Sequence, residues 1–213
     1  ASATHAFCHA LPQRWHQMSV MLSAASCLQW AAGALGLSSA AAVEGKAASL
    51  PLDAREAAPL FLPYLSGERT PHNDAQVRGS FHGLSHSSDQ AALAYAVIEG
   101  VTFGLNDGLR ALQAAGSSPK QLSLVGGGAR SAFWAQQLAS ALNLDIVTHP
   151  ESAAGGALGA ARLGWLATGA SVAQVCRKPD TAHIYRSEPA EHAMLAGRFA
   201  RFRALYPALH SVR

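Results

Sequence analysis

The sequence predicts an α/β domain, on three observations. Residues 121–148, QLSLVGGGARSAFWAQQLASALNLDIVT, run strand, glycine turn, helix, strand, the βαβ pattern of a layered fold. Leu93, Val97, Val101, Leu105 and Leu109 recur at every fourth position behind Asp89, so a long amphipathic helix starts at an N-capping carboxylate and ends near Gly116. The 213 residues are 49% hydrophobic and 14% charged, enough to bury a sizeable core but too few for two large domains. Residues 1–213 therefore read as one domain.

From the N-terminus, residues 3–22 predict a hairpin: ATHAFCHAL and RWHQMSVML favour strand and are joined by a turn at Pro12-Gln13. A helix follows over 23–35, closed by Gly36. Residues 38–58, rich in Ala, Ser and charge and carrying Pro51, suit a surface helix and loop. LFLPYL at 60–65 has the composition of a buried strand. The polar stretch Ser66 to Ser80, broken by Gly67, Pro71 and Gly79, is a long ordered loop of a kind that is often functional. Beyond the βαβ unit, AAGGALGAARLGWLATG predicts a small-residue helix that must pack closely. A last helix from Pro189 buries Met194, Phe199, Phe202 and Leu205.

Charge and cysteine usage exclude several classes. The net charge of +3 comes from 16 basic residues scattered along the chain without a run, so nucleic acid is not an implied partner. Cys8, Cys27 and Cys176 are odd in number and lack CxxC spacing, which points to reduced, cytoplasmic thiols rather than a disulfide framework. The nearly apolar Met18 to Leu37 looks superficially like a lipoprotein signal, but Gln29, Trp30 and the serines interrupt it, and a strand followed by a buried helix is the better reading. No membrane span is expected.

Gly126-Gly127-Gly128-Ala129-Arg130 lies between a strand and a helix capped by Ser131. Glycine there permits positive φ and lets a ligand reach the backbone without a Cβ in the way, which suits a nucleotide; a tight turn with no ligand is the plain alternative. No lysine follows, so this is not a Walker A phosphate loop. The closer rival is a dinucleotide fingerprint, Gly126-x-Gly128-x-x-Ser131, with Asp145 at roughly the spacing used for a ribose hydroxyl. It lacks the third glycine, and the hairpin and long loop do not belong to a simple doubly wound half.

Four stretches in order carry a family resemblance: PYLSGERTPHNDAQVRGSFHGL, VIEGVTFGL, LVGGGARSAFWAQQLA and GGALGAARLG. Their succession resembles the C-terminal domains of the FGGY carbohydrate kinases, from residue 1 to residue 207. The form Leu65-Ser66-Gly67-Glu68-Arg69-Thr70-Pro71-His72-Asn73 is particularly similar to members acting on D-xylulose. Ala92 departs from the pattern, standing where a polar residue is usual, which a helix surface position would explain.

The resemblance implies an actin-like ATPase (ribonuclease H-like) fold, in which two similar α/β domains hold ATP in the cleft between them. This chain then carries the C-terminal half of a two-domain sugar kinase. The implied reaction is ATP-dependent phosphorylation of D-xylulose with Mg²⁺ bridging the phosphates; kinases of ribulose, gluconate or glycerol, or a non-catalytic nucleotide-binding module, are the alternatives. Gly127, Gly128 and Ala129 would pass against the adenosine with Gly126 holding the turn, and a Cβ on Gly128 would project towards the ribose or adenine. Ala25 and Gln29 correspond to positions flanking the adenine, Ala25 where a glycine is usual. Gly156 to Ala161 resemble a motif that lets domain helices cross at the hinge. The base, the sugar contacts and the phosphate loops belong to the N-terminal domain, which is expected to lie outside these residues, so no catalytic residue is expected here. The implied partners are the sugar, ATP and that domain, with room for a homodimer.

Other polar residues carry weaker expectations. Glu68, Arg69 and His72 could serve the phosphate cleft or the sugar rim, but anchoring of their own loop is favoured. Glu99 and Asp107, two turns apart on one helix, read as solvated rather than as an acid/base pair. His5, Cys8 and His9 have metal-like spacing, yet on a strand Cys8 and His9 face opposite ways. Phe133 and Trp134 read as core rather than as base-stacking rings.

Overall fold

The computed structural model describes residues 4–150 and 152–211, and it opens on the expected hairpin. Strands β1 (His5–Cys8) and β2 (Trp15–Met18) pair antiparallel, with His5 opposite Met18 and Cys8 opposite Trp15. The turn between them holds Gln13 at φ 57°. Residue 3, where the sequence opens the hairpin, lies outside the described residues. Both strands are mostly exposed, Phe7 and Trp15 included, so backbone hydrogen bonds and ring contacts such as Phe7 on His16 hold the pair together rather than burial.

Helix α1 (Ser26–Ala34) begins three residues later than its apolar pattern, because Ala25 at its N-cap brings no side-chain acceptor. Helix α2 (Ala40–Ala48) is capped by Ser39 Oγ, which accepts from Ala42 N, and it buries Val43 and Ala47 completely, so it is half core rather than a surface helix. A short helix α3 (Leu52–Arg55) follows Pro51. Strand β3 (Leu60–Leu62) pairs antiparallel with β4 (Ser80–His82), which makes the long polar loop the return connection of a two-stranded ribbon. Trp30 of α1 stacks on Phe61 at 5.5 Å, and Phe61 meets Phe81 at 4.6 Å.

The long helix α4 (Gln90–Ala114) starts as expected, with Asp89 Oδ1 accepting from Ala92 N at 2.8 Å. Every residue from Ala94 to Gly104 is buried, because α1, α2, α3 and β3 pack around the helix. Two readings fall with that. Ala92 is buried, not on a helix surface, so the small side chain fits a packed position. Glu99 is 0% and Asp107 4% exposed, so neither is solvated.

Strand β5 (Gln121–Ser123), helix α5 (Ala132–Leu142) and strand β6 (Asp145–Thr148) form the βαβ unit, with β5 and β6 parallel. Strand β7 (His183–Tyr185), three residues that no alternation announces, adds antiparallel to the far edge of β6. Between them stand α6 (Gly155–Ala167) and α7 (Val172–Val175). None of α6's residues is buried, and Leu163 and Trp165 are exposed, so the close packing its small residues suggest is not made among the described residues. Helix α8 (Pro189–His210) buries Phe199 and Phe202 as expected, with Leu195 and Arg198, while Met194 and Leu205 are half-buried. One core cluster joins α1, α2, α4, α5 and β6; a second, around Leu62, Tyr64, Phe103 and Phe202, seals β3 against α8. No described helix is long and apolar enough to cross a membrane.

Candidate functional site

The glycine turn lies just past the carboxyl end of β5, where open α/β sheets place ligands. Leu124 N still pairs with Val147 O, and then Gly126 turns the chain at φ 86°, ψ −168°, a backbone shape open to glycine and strained for other residues. Its N–H donates to Ser152 O at 2.7 Å, so the turn sits beside the start of α6. A 3-10 turn over Gly127–Arg130 follows, and Ser131 Oγ accepts from Trp134 N to start α5. A cavity of about 230 Å³ opens next to the turn, lined by Ser123, Val125, His149, Gly155 and Arg162 among others.

The glycines are not equivalent. A Cβ on Gly128 would stand 2.6 Å from Trp134 Cζ3, so it points into the domain rather than towards a ligand, contrary to the expectation from sequence. Trp134 is core as expected, with its indole N–H donating to Thr102 Oγ1 at 2.9 Å. Gly127 is exposed and its added Cβ would meet only Arg130 Nη2, at 3.6 Å; at Gly126 nothing lies within 4 Å. The open side of the turn is therefore Gly126-Gly127, with Ala129 half-buried behind it. Asp145 pairs with Gln121 at the amino ends of the parallel strands, opposite the glycine turn, so it cannot serve a ribose there and the dinucleotide rival loses its acid. Ala25 and Gln29 are both exposed, one turn apart on α1.

The description "FGGY family of carbohydrate kinases, C-terminal domain" matches residues 1–168. The chain belongs to that family. It is 45% identical over 210 residues to the xylulose kinase of Escherichia coli K12, covering 98% of this chain and 43% of that enzyme. It is 49% identical over 166 residues to the Klebsiella pneumoniae xylulose kinase, covering 78% of this chain and 34% of that one. A solved Brucella ovis structure described as a xyloylose kinase superposes with TM-score 0.89 at 48% identity, over 100% of this chain and 43% of that one. The fold is thus the actin-like ATPase fold of FGGY kinases, and the chain spans less than half the length of these relatives.

In this FGGY chain the long loop is held both by its own residues and by contacts to residues 20–22, Tyr64 and α8. Glu68 and Asp74 exchange backbone hydrogen bonds at 2.9 and 2.8 Å, and Asp74 Oδ1 accepts from Gln76 N and Val77 N. His72 shares a 3.0 Å hydrogen bond with Tyr64 OH and stacks on Tyr206 at 3.6 Å, and burial lowers its pKa to about 4. Glu68 is 2% exposed, and burial, opposed by the N–H groups of Leu22 and Arg69, pushes its carboxyl up to about 7. Both therefore anchor, as favoured from sequence, while the Arg69 side chain is exposed.

Sequence reasoning missed two ion pairs, Arg198–Glu99, fully buried, and Arg203–Asp107, of which only the acid is buried. Arg198 Nε and Nη2 each donate to one Glu99 oxygen at 2.6 Å, and Tyr95 OH adds a third bond at 3.2 Å. The same guanidinium donates to the carbonyls of Glu56, Ala58 and Pro59. Asp107 pairs with Arg203 at 3.0 Å, and burial holds its pKa up at about 6. A basic residue on the buried face of α8 was the available signal, since a cation there requires a partner.

Proposed function

We propose that this chain forms the adenosine-binding part of a kinase that transfers the γ-phosphoryl group of ATP to a hydroxyl of D-xylulose. The observation that carries it is the open Gly126-Gly127 edge at the carboxyl end of β5, in a chain whose relatives include xylulose kinases at 45% and 49% identity. Gly126 sets the turn, the Gly127, Gly128 and Ala129 backbone offers a surface without bulk to the ribose and adenine, and Ala25 and Gln29 flank the base from α1. Gly128 contributes by letting the Trp134 ring close up beneath the turn, not by yielding space to the ligand.

Residues 124–131 and α1 contain no carboxylate, so these segments offer Mg²⁺ no ligand of their own. Mg²⁺ would have to come with the nucleotide, and bound there it would supply neutralisation of the phosphate charge while the Gly126–Ala129 backbone holds the adenosine. Transfer further needs an in-line hydroxyl and a base, which we assign to a second domain, the natural partner of this one in a cytoplasmic sugar kinase. Titration of the 213-residue chain with ADP tests the reading. Binding in the millimolar range, about 4 kcal/mol, is expected from one cleft wall. Binding should weaken further in Gly127→Val, and D-xylulose should not be phosphorylated. Submicromolar affinity, or ADP binding untouched by Gly127→Val, contradicts it.

A further inference from the structure

We propose that Glu68 is a positioning residue for the nucleotide site, holding the backbone that leads into α1 and hence the Ala25 and Gln29 face. This deepens the kinase reading and rests on it. Glu68 Oε1 accepts from two backbone donors in different segments, Leu22 N at 3.0 Å and Arg69 N at 2.7 Å. One step along, Thr70 N donates to Val20 O at 2.9 Å and Val20 N donates to Thr70 Oγ1 at 3.0 Å. Residues 20 and 22 are thereby pinned to the loop, and α1 starts four residues later.

Helix α1 has no side-chain cap at its start, where Cys27 and Leu28 supply the core packing. Its N-cap is Ala25, and its first turn has no acidic residue. Cys27 Sγ makes long contacts to Ser23 O and Pro63 O, at 3.7 and 3.5 Å, and Gln90 Nε2 ties the other end at Leu35 O. The Glu68 tie therefore fixes the backbone that enters the helix, four residues ahead of its first turn. It is also kept at a cost: Oε2 is buried with no hydrogen-bond partner among the described residues, and the charge of Asp107 further disfavours the ionised carboxyl. Oε1 accepts whether or not the carboxyl is protonated, so an amide of the same length preserves the tie and a shorter acid does not.

The test is steady-state kinetics in an intact kinase polypeptide carrying these residues, with folding checked by thermal unfolding. Glu68→Asp should raise the KM for ATP about tenfold, with kcat and the sugar KM within about twofold, and Glu68→Gln should stay within about twofold throughout. Gln29→Ala should raise the ATP KM too, and the double variant should depart from additivity by about threefold or more. Equal shifts in both KM values, Glu68→Gln as damaging as Glu68→Asp, or strict additivity would overturn the inference. A silent Gln29→Ala overturns instead the nucleotide reading of α1, and the inference with it. If Glu68→Asp does not fold, Thr70→Val loosens the same backbone at Val20, and an unchanged ATP KM there is equally fatal.

Discussion

At Gly128 an added methyl group would meet the Trp134 ring at 2.6 and 3.0 Å, and that ring is fixed by its hydrogen bond to Thr102. Gly128→Ala should therefore destabilise by about 1–3 kcal/mol through overpacking. Gly127→Ala, which meets only the end of Arg130, should stay within about 0.5 kcal/mol. Urea unfolding of the two variants decides it, and equal losses would mean that the ring moves freely. Glu68 supplies a second residue-level prediction, in pH. Its carboxyl titrates near 4.5 when unfolded and at about 7 when folded, so the folded state binds the proton more tightly. The stabilisation is complete below the unfolded value and is lost as pH rises through the folded one. Glu68→Gln removes this component. Relative to the variant, the wild type should lose on the order of 3 kcal/mol between about pH 4 and about pH 8. Parallel pH profiles of the thermal midpoint would refute the assignment. Asp107, raised in the same direction, adds to the Glu68 shift by like charge, so Glu68→Gln also relieves Asp107 and the difference between the two profiles reports the pair.

Between elements, the strongest polar link is Arg198 of α8 on Glu99 of α4. Arg198→Met should cost about 3–5 kcal/mol, because it leaves a buried carboxylate unpaired. Adding Glu99→Leu should recover much of the loss but not all, since the carbonyls of Glu56, Ala58 and Pro59 still lack their donor. Denaturant titrations of both proteins measure the recovery, and an equally unstable double variant would show that packing, not charge, is what Arg198 provides. The same pair marks how far the sequence could be read. Helices α4 and α5 were legible because Asp89 and Ser131 announce their starts locally, and the glycine turn because its residues are contiguous. Strands β4 and β7 were not, since three residues carry no period and their partners lie 18 or more positions away. A four-residue stripe shows one buried face of α4 but not that the other faces are covered too, so Glu99 and Asp107 looked solvated. The inward aim of Gly128 depends on where the Trp134 ring turns, which residue type alone does not set.

On the scale of the whole molecule, the family match ends at residue 168, yet the second core cluster is closed by α8, beyond that limit. Helix α6 shows the complementary condition: an apolar surface within the matched region that the described residues leave uncovered. Among the described residues, then, α8 closes the second cluster while the α6 side stays uncovered. The Glu99–Arg198 pair gives the first half of that statement a clock. The two residues are 99 positions apart, and at roughly 5–20 residues per second a ribosome needs about 5–20 s to travel from one codon to the other. Throughout that interval the centre of α4 carries an acid whose counter-charge has not been made, so the nascent helix cannot be sealed against its neighbours at native stability. The native partner of Glu99 thus waits on the synthesis of α8, the last of the described helices to be made.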